Sequence, residues 1–578
     1  MRIAPTALAA VAAGVLAVMS VGVGASAAAD TDDDTISSSL VGLGSVLDGL
    51  VSPSRSMRDQ GLAVAAAQAA PVSSDALPTV QIDGVVWAQV VVGDVVYVGG
   101  DFTSARPAGA ARGTQEVPRT NLLAYDLDSG ELIDGWAPQV NGEVRDLAAS
   151  PDGNRLYIAG RFTSVDGATR YRAAAFNTGT GALTGFRPSV NALVNAIDVA
   201  GDDVYLGGTF TSVNNKERVR VAAVDAASGA TTRPFQARVA DHSVQDLILS
   251  PDGDQVVISG NFTSVNRSQN PGYGLARLDA TTGEMLPLPL NDVVRNAGTY
   301  AAVLSLATDD DYLYGTAYHW SKKGSTEGSF AADWDTGRLV WLEDCHGDTY
   351  SIVPFRGAIF TASHKHDCAT SGAFPETEPQ TFHRGTATTR TVEGENVADD
   401  EHGYPDSPGT PRPELLNWFP DFTPGTYTGQ GQGPWSVTAA GDYLLYGGEF
   451  TSVNNHPQQG LVRFAVRDVA ANADGPRLGG AKFPLTLRSP RSGTVEATWP
   501  SNYDRDDLTL TYSLYRGTTS DAAISVQQRS GSFWEGGTMS FTDTEAEPGT
   551  TQRYIVVARD PWGNEAWSRW SDVAVSGR

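Results

Sequence analysis

Cysteine is nearly absent: Cys345 and Cys368 are the only two in 578 residues. That excludes a small scaffold stapled by many disulfides and any cysteine-rich zinc module. Methionine (5) and histidine (8) are scarce, and the 41 basic residues are outnumbered by 67 acidic ones, for a formal net charge of −26. So acidic a chain repels phosphate backbones, which excludes duplex DNA or RNA as a partner. Beyond residue 29 no apolar run is long enough to span a bilayer. The strings that mark common enzyme classes are also missing. There is no phosphate-binding loop, no His-Glu-x-x-His helix, no Gly-x-Ser-x-Gly elbow and no dinucleotide fingerprint behind a strand. Hydrophobic residues at 41% and charged ones at 19% still describe a folded protein, and the length favours two to four units of about 150 residues.

The first residues read as targeting. Arg2 precedes an Ala/Val/Leu/Gly run to Gly24, and Ala25-Ser26-Ala27 supplies a small-x-small cleavage pattern. Residues 1–29 are therefore expected to be a signal peptide, and the protein to be secreted, with or without attachment to the cell wall. Residues 30–76 open with Asp30-Thr31-Asp32-Asp33-Asp34 and continue Ala/Ser-rich, which suits a flexible lead-in. In an oxidising compartment an even pair of cysteines reads as a Cys345–Cys368 disulfide rather than a nucleophile or a zinc site.

Sixty-two glycines point to many turns, and self-comparison shows where they fall. Gly99-Gly100-Asp101-Phe102-Thr103-Ser104 recurs as Ala159-Gly160-Arg161-Phe162-Thr163-Ser164, as Gly207-Gly208-Thr209-Phe210-Thr211-Ser212, as Ser259-Gly260-Asn261-Phe262-Thr263-Ser264 and as Gly447-Gly448-Glu449-Phe450-Thr451-Ser452. The first four phenylalanines are 60, 48 and 52 residues apart, and the gap of 188 before Phe450 leaves room for two disguised units. These are found at Leu313 to Tyr318 and Ile359 to His364. Units of about 50 residues with short β-branched segments such as Asp203-Val204-Tyr205-Leu206 imply four-stranded blades rather than helix pairs. The expected fold is all-β, a seven-bladed β-propeller over 77–470, with Leu77 to Ile82 completing the last blade. Six blades with a large insertion is the alternative. The repeated motif reads as packing: glycine for close approach, Phe between blades, and hydroxyls satisfying a turn.

The Gly-Gly-x-Phe-Thr-Ser unit resembles the delta-sixty-type β-propeller repeat of secreted bacterial proteins, over about two-thirds of the chain. The resemblance implies architecture and carries no general reaction. After a linker at 471–480, residues 481–578 resemble a fibronectin type III domain. Val495 to Trp499, Leu510 to Arg516 and Tyr554 to Ala558 alternate as strands, Trp499 is the expected core tryptophan, and Tyr554 follows Pro548-Gly549-Thr550 as a tyrosine corner would.

Chemistry is expected where the repeat breaks its own rule. In units five and six the Phe-Thr-Ser positions read Tyr318-His319-Trp320 and His364-Lys365-His366, with Asp344-Cys345-His346-Gly347-Asp348 between them. His364 and His366, two apart on a strand, share a face. Together with His346 and Asp348 they suit a polar binding site, or a divalent metal on His346, His364 and His366. No cofactor is otherwise expected. An insertion at about 370–433 is rich in aromatic residues. Trp418 and Tyr427 with the nearby Trp435, beside carboxylates such as Asp421, are candidates for stacking on sugar rings; packing the insertion onto the body is the competing role. Glu343, Asp344 and Asp348 are candidate acids by position alone. The expected function is recognition of extracellular or cell-wall polysaccharide, with His319, His346, Asp348, His364, His366, Trp418, Tyr427 and Trp435 as contacts. A secreted glycosidase or polysaccharide lyase and a protein–protein adhesion scaffold are the alternatives.

Overall fold

The computed structural model describes residues 69–231, 234–320, 324–399 and 402–578. The expected signal peptide and most of the lead-in segment lie outside the described residues. The chain is all-β: among the described residues there is no α-helix, only a 3-10 turn at Pro289–Asp292.

Seven antiparallel sheets follow one another along the chain. Their first two strands are Val85–Val92 and Val95–Asp101, Val144–Ala149 and Arg155–Gly160, Val194–Ala200 and Asp203–Gly208, Val244–Leu249 and Gln255–Gly260, Ala301–Thr308 and Tyr312–His319, Thr349–Phe355 and Ala358–Lys365, and Pro434–Ala440 and Tyr443–Gly448. Each first strand lies beside the first strand of the next sheet, and that of sheet seven lies beside that of sheet one, so the row closes on itself. Carboxylates tie some of these neighbours. Asp146, Asp198 and Asp246 each accept a hydrogen bond from a backbone N–H of the following first strand, at Ile197 (2.7 Å), Leu249 (3.0 Å) and Leu306 (2.6 Å). Closure is shifted from the expected place. Val72 pairs with Val466 and Leu77 with Arg463, so residues 72–77 complete sheet seven. Gln81–Ile82 pairs with Ser104–Arg106 instead.

The repeated motif has a physical cause at each position. A Cβ on Gly99, Gly207 or Gly447 would sit 2.5–2.6 Å from a valine methyl of the next first strand, Val144, Val244 or Val86. A Cβ on the second glycine, Gly100, Gly160, Gly208, Gly260 or Gly448, would lie 2.1–2.5 Å from the backbone carbonyl at, or one residue before, the start of its own first strand. Phe102, Phe162, Phe210, Phe262 and Phe450 are all buried, each packed among residues of its own sheet and the one before, as Phe210 is with Tyr157 and Ala159. The Thr-Ser pair is latched by an Asx residue leading into the first strand. Asn141 Oδ1 accepts from the N–H groups of Thr163 and Ser164, and Asp83, Asn191 and Asp241 take corresponding places.

The last hundred residues form two facing sheets around Trp499, Tyr512 and Tyr554. The Tyr554 hydroxyl donates to Asp543 Oδ2 at 2.8 Å, a carboxylate rather than the expected upstream backbone. It is Tyr512 whose hydroxyl donates to a backbone carbonyl, that of Asn502, at 3.1 Å. This sandwich is seated on the insertion: Phe533 lies 5.7 Å from Phe374, 5.1 Å from Phe419 and 4.8 Å from His383 between ring centroids. The Cys345–Cys368 disulfide forms and belongs to the same cluster.

Candidate site at the bulged ends of the first strands

Every first strand carries one β-bulge at the same point, opposite the motif glycine or its substitute. The bulged residues are Trp87, Arg145, Asn195, Gln245, Leu304, Tyr350 and Trp435. A bulge leaves its residue out of the ladder and re-aims the side chain. The motif glycine gives room to the carbonyl two residues before the bulge but does not create the bulge, since sheets five and six bulge with Ala317 and Ser363 there. Four of the seven meet in cyclic order. Tyr350 lies 4.4 Å from Trp435, Trp435 lies 5.5 Å from Trp87, and the Arg145 guanidinium stands 4.1 Å from the Trp87 ring. Asn195, Gln245 and Leu304 occupy the rest of the row. All are partly open to solvent except Tyr350, which is buried. One arc is thus aromatic and cationic, and the other offers two amides.

Carboxylates border the aromatic arc. The Trp435 indole donates to Glu449 Oε1 at 3.2 Å, and Arg145 pairs with Glu143 at 3.0 Å. Tyr350 Oη is 2.5 Å from His364 Nδ1, while the Asp348 amide approaches His364 Nε2 at 3.4 Å. Burial, reinforced by His366, pushes the His364 imidazole down to about 4. It is therefore neutral at pH 7. With Nε2 facing an N–H, its proton sits on Nδ1 and is donated to Tyr350, whose own hydroxyl hydrogen is left for a further acceptor. Burial, with Glu327 nearby, pushes the Asp348 carboxyl up to about 7.

Strand register corrects the expected alignment of units five and six by one residue. The position two beyond the bulge partner is Phe in five sheets, and here it is His319 and Lys365, not Tyr318 and His364. Both are buried. Lys365 Nζ meets Glu343 Oε1 at 2.5 Å with both side chains fully enclosed, so Glu343 is committed to an ion pair and is no free acid. Among the described residues His319 has no hydrogen-bond partner on either ring nitrogen, and burial lowers its pKa.

Of the expected contacts, His364, Asp348, Trp435 and Tyr427 reach the open rim. Tyr427 is half exposed and bonds Asp101, which pairs with Val85 two residues before Trp87. The others lie away from it. Trp418 is fully buried against Phe360, Tyr446 and Phe464 and packs the insertion onto sheets six and seven. His346 is buried between Glu327 (3.7 Å) and Asp406 (3.5 Å). Burial disfavours its charged form, but Glu327 and Asp344 outweigh that and hold its pKa above the ordinary value. Asp344 is buried and accepts from Ser407 N; burial lifts it to about 6. His366 Nδ1 is 2.9 Å from Glu376 Oε2, which also accepts from Tyr404. His346, His364 and His366 thus face different partners and, among the described residues, do not converge as a metal site would require. Sequence reasoning missed Trp87, Arg145, Asn195, Gln245, Leu304 and Tyr350. For the first five a signal was present, since one variable residue follows a Val (Val86, Val144, Val194, Val244 and Val303), whereas Thr349 precedes Tyr350.

No family model matches the chain, and no curated protein matches it. Among solved structures, it is similar to Saccharomyces cerevisiae Sqt1 at 10% identity, covering 67% of this chain and 97% of that one, with a TM-score of 0.31. A glycoside hydrolase family 43 arabinoxylan arabinofuranohydrolase from Bacillus subtilis matches at 10%, over 75% and 96%, with a TM-score of 0.22. The FN1–FN3 domains of chicken CNTN1 match at 10%, over 47% and 97%, with a TM-score of 0.15. Likeness this distant transfers neither fold nor activity.

Proposed function

We propose that the seven sheets form a seven-bladed β-propeller followed by a fibronectin type III-like sandwich, and that this exported protein binds extracellular or cell-wall polysaccharide at the bulged ends of its first strands. The observation that supports this most is the arc Tyr350–Trp435–Trp87–Arg145, with its aromatic rings 4.4 and 5.5 Å apart. Sugar rings present apolar faces that stack on indole and phenol, while amides and carboxylates beside them take the hydroxyls. Affinity electrophoresis against a panel of cell-wall and extracellular polysaccharides should retard the native protein on at least one. No retardation on any of them sinks the reading.

A second reading is favoured by Asp348. A partly exposed carboxyl lifted to about 7 keeps a substantial protonated fraction at neutral pH and can protonate a leaving oxygen, as a glycosidase's general acid does. Product analysis after incubation separates the two. A binder returns the polymer uncut, whereas an enzyme yields fragments that Asp348→Asn abolishes while binding persists.

A further inference from the structure

Away from this rim, the sandwich meets the seven-sheet body at the loop Asp504-Arg505-Asp506-Asp507. Asp504, Asp506 and Asp507 are 1%, 2% and 7% exposed, and one carboxylate oxygen from each lies within 4.8 Å of the others. Like charges that close repel unless a counter-charge is supplied. Little is supplied. Arg467 Nη1 is 3.1 Å from Asp507 and 3.9 Å from Asp506, while Arg505 turns away to Asp474 (2.6 Å) and Asp421 (2.5 Å). Three carboxyl groups therefore face one guanidinium, a surplus of two negative charges when all three are ionised.

Hydrogen bonding is incomplete at the same point. Asp506 Oδ2 accepts from the Ser74 N–H at 2.5 Å. Among the described residues Asp504 Oδ2 is buried without a hydrogen-bond donor, while its Oδ1 takes the Asp506 N–H at 3.4 Å and its carboxyl also meets that of Asp506. From the other side comes Asn417, fully buried. Its amide nitrogen donates to the Asp504 carbonyl at 3.3 Å, and its own Oδ1 has no partner among the described residues. Buried acceptors normally find a donor. Two bare oxygens beside a charge surplus of two match what a divalent cation would satisfy.

We propose that this loop is a binding site for a hard divalent cation of the calcium class. The donors are carboxylate and carbonyl oxygens without His or Cys, which favours calcium over zinc or copper, and calcium accepts irregular sets of six to eight oxygens. The cation joins three segments: the sandwich through Asp504–Asp507, the insertion through Asn417, and residues 72–77 through Asp506, which holds the Ser74 N–H. It therefore fixes the sandwich on the body.

The test uses the full chain stripped with EDTA and then given Ca2+ alone, Mg2+ alone or Tb3+. Ca2+ is expected to raise the melting temperature by several degrees, and Mg2+ by less. The Trp562 side chain hydrogen-bonds Asp507, so excitation at tryptophan should sensitise Tb3+ emission that Ca2+ displaces. Asp504→Asn should abolish both effects yet be at least as stable as the native chain in EDTA, since one uncompensated charge is gone. Asp507→Asn is the second variant if the first does not fold. A native chain without a Ca2+ shift or sensitised emission overturns the proposal. A shift that survives in both variants also overturns it, since the ions then bind elsewhere on an acidic surface.

Discussion

Sheets one to four and seven solve one packing problem in one way, and sheets five and six solve it differently. In the first group a phenylalanine fills the space against the preceding sheet. In the second, the same register position holds His319 and Lys365. Lys365 needs Glu343 from the preceding sheet, with Thr361 and Thr386 completing its three donors at 3.1 and 2.9 Å. A Phe site is satisfied by any apolar lining, whereas an ammonium fixes the identity of its neighbours. The irregular sheets are thus more specified and less forgiving. The disulfide, the insertion and the seat of the sandwich are all attached to them.

The sharpest break of that comparison is at the buried pair. Lys365→Met should cost about 3–5 kcal/mol, because it strands the Glu343 carboxylate without water or a counter-ion. Lys365→Met with Glu343→Leu should recover most of the loss, since an apolar pair of similar volume is often neutral. Chemical unfolding of the two variants checks this. A harmless single substitution means that the pair is not needed and that sheet six packs like the rest.

The regular sheets contain buried charge too, but of another kind. Burial lifts the Asp198 carboxyl to about 6, despite the N–H of Leu249. Between its ordinary value and 6 the folded chain binds a proton that the unfolded chain does not. Stability therefore falls as pH rises through that window, and the loss persists above it. Asn keeps an acceptor for Leu249 and cannot ionise. Asp198→Asn should match the native protein near pH 4 and exceed it by about 1–3 kcal/mol at pH 7. Melting curves at three pH values read the divergence; a constant difference refutes it.

At the rim, Trp435→Ala removes the ring between Tyr350 and Trp87 and should weaken polysaccharide retention at least tenfold, about 1.4 kcal/mol. Asn195→Ala, on the amide arc, should cost less. Equal losses would mean that stacking does not distinguish the two arcs.

What could be read from the sequence divides along the same line. The all-β class was legible because Gly, Phe and Thr-Ser recur with fixed roles, and repetition averages out local ambiguity. The disulfide was legible because two cysteines allow one pairing. The rim was not. A bulge is a register event between two strands: a Val before Trp87 and Arg145 marks the position in the sequence, but only the aligned ladders show that the residue after it is bulged. Aligning units five and six by residue similarity put Tyr318 and His364 where hydrogen bonding puts His319 and Lys365. Histidine density was a poor guide for the same reason: the His346 and His366 rings are buried against carboxylates away from the rim, and of the three only His364 opens toward it.

The smallest expected effect tests the register itself. If His319 occupies a phenylalanine site, His319→Phe restores the rule of the other sheets. Its ring nitrogens are buried without partners, so replacing them with carbon removes an unmet polar cost, about 1 kcal/mol at pH 7 after some allowance for the larger ring. The margin should also depend on pH in a stated direction. Burial lowers the pKa of His319, with Glu327 opposing, so the unfolded chain takes up a proton near 6.5 that the folded chain refuses. The native protein therefore loses stability as pH falls below 6.5, and the phenylalanine variant does not share that part of the loss. Its advantage should widen from pH 7.5 to pH 5.5, with polysaccharide retention unchanged. A variant less stable at every pH would show that the hole is not shaped for Phe. One with normal stability and no retention would return His319 to the binding site, where the sequence first suggested it.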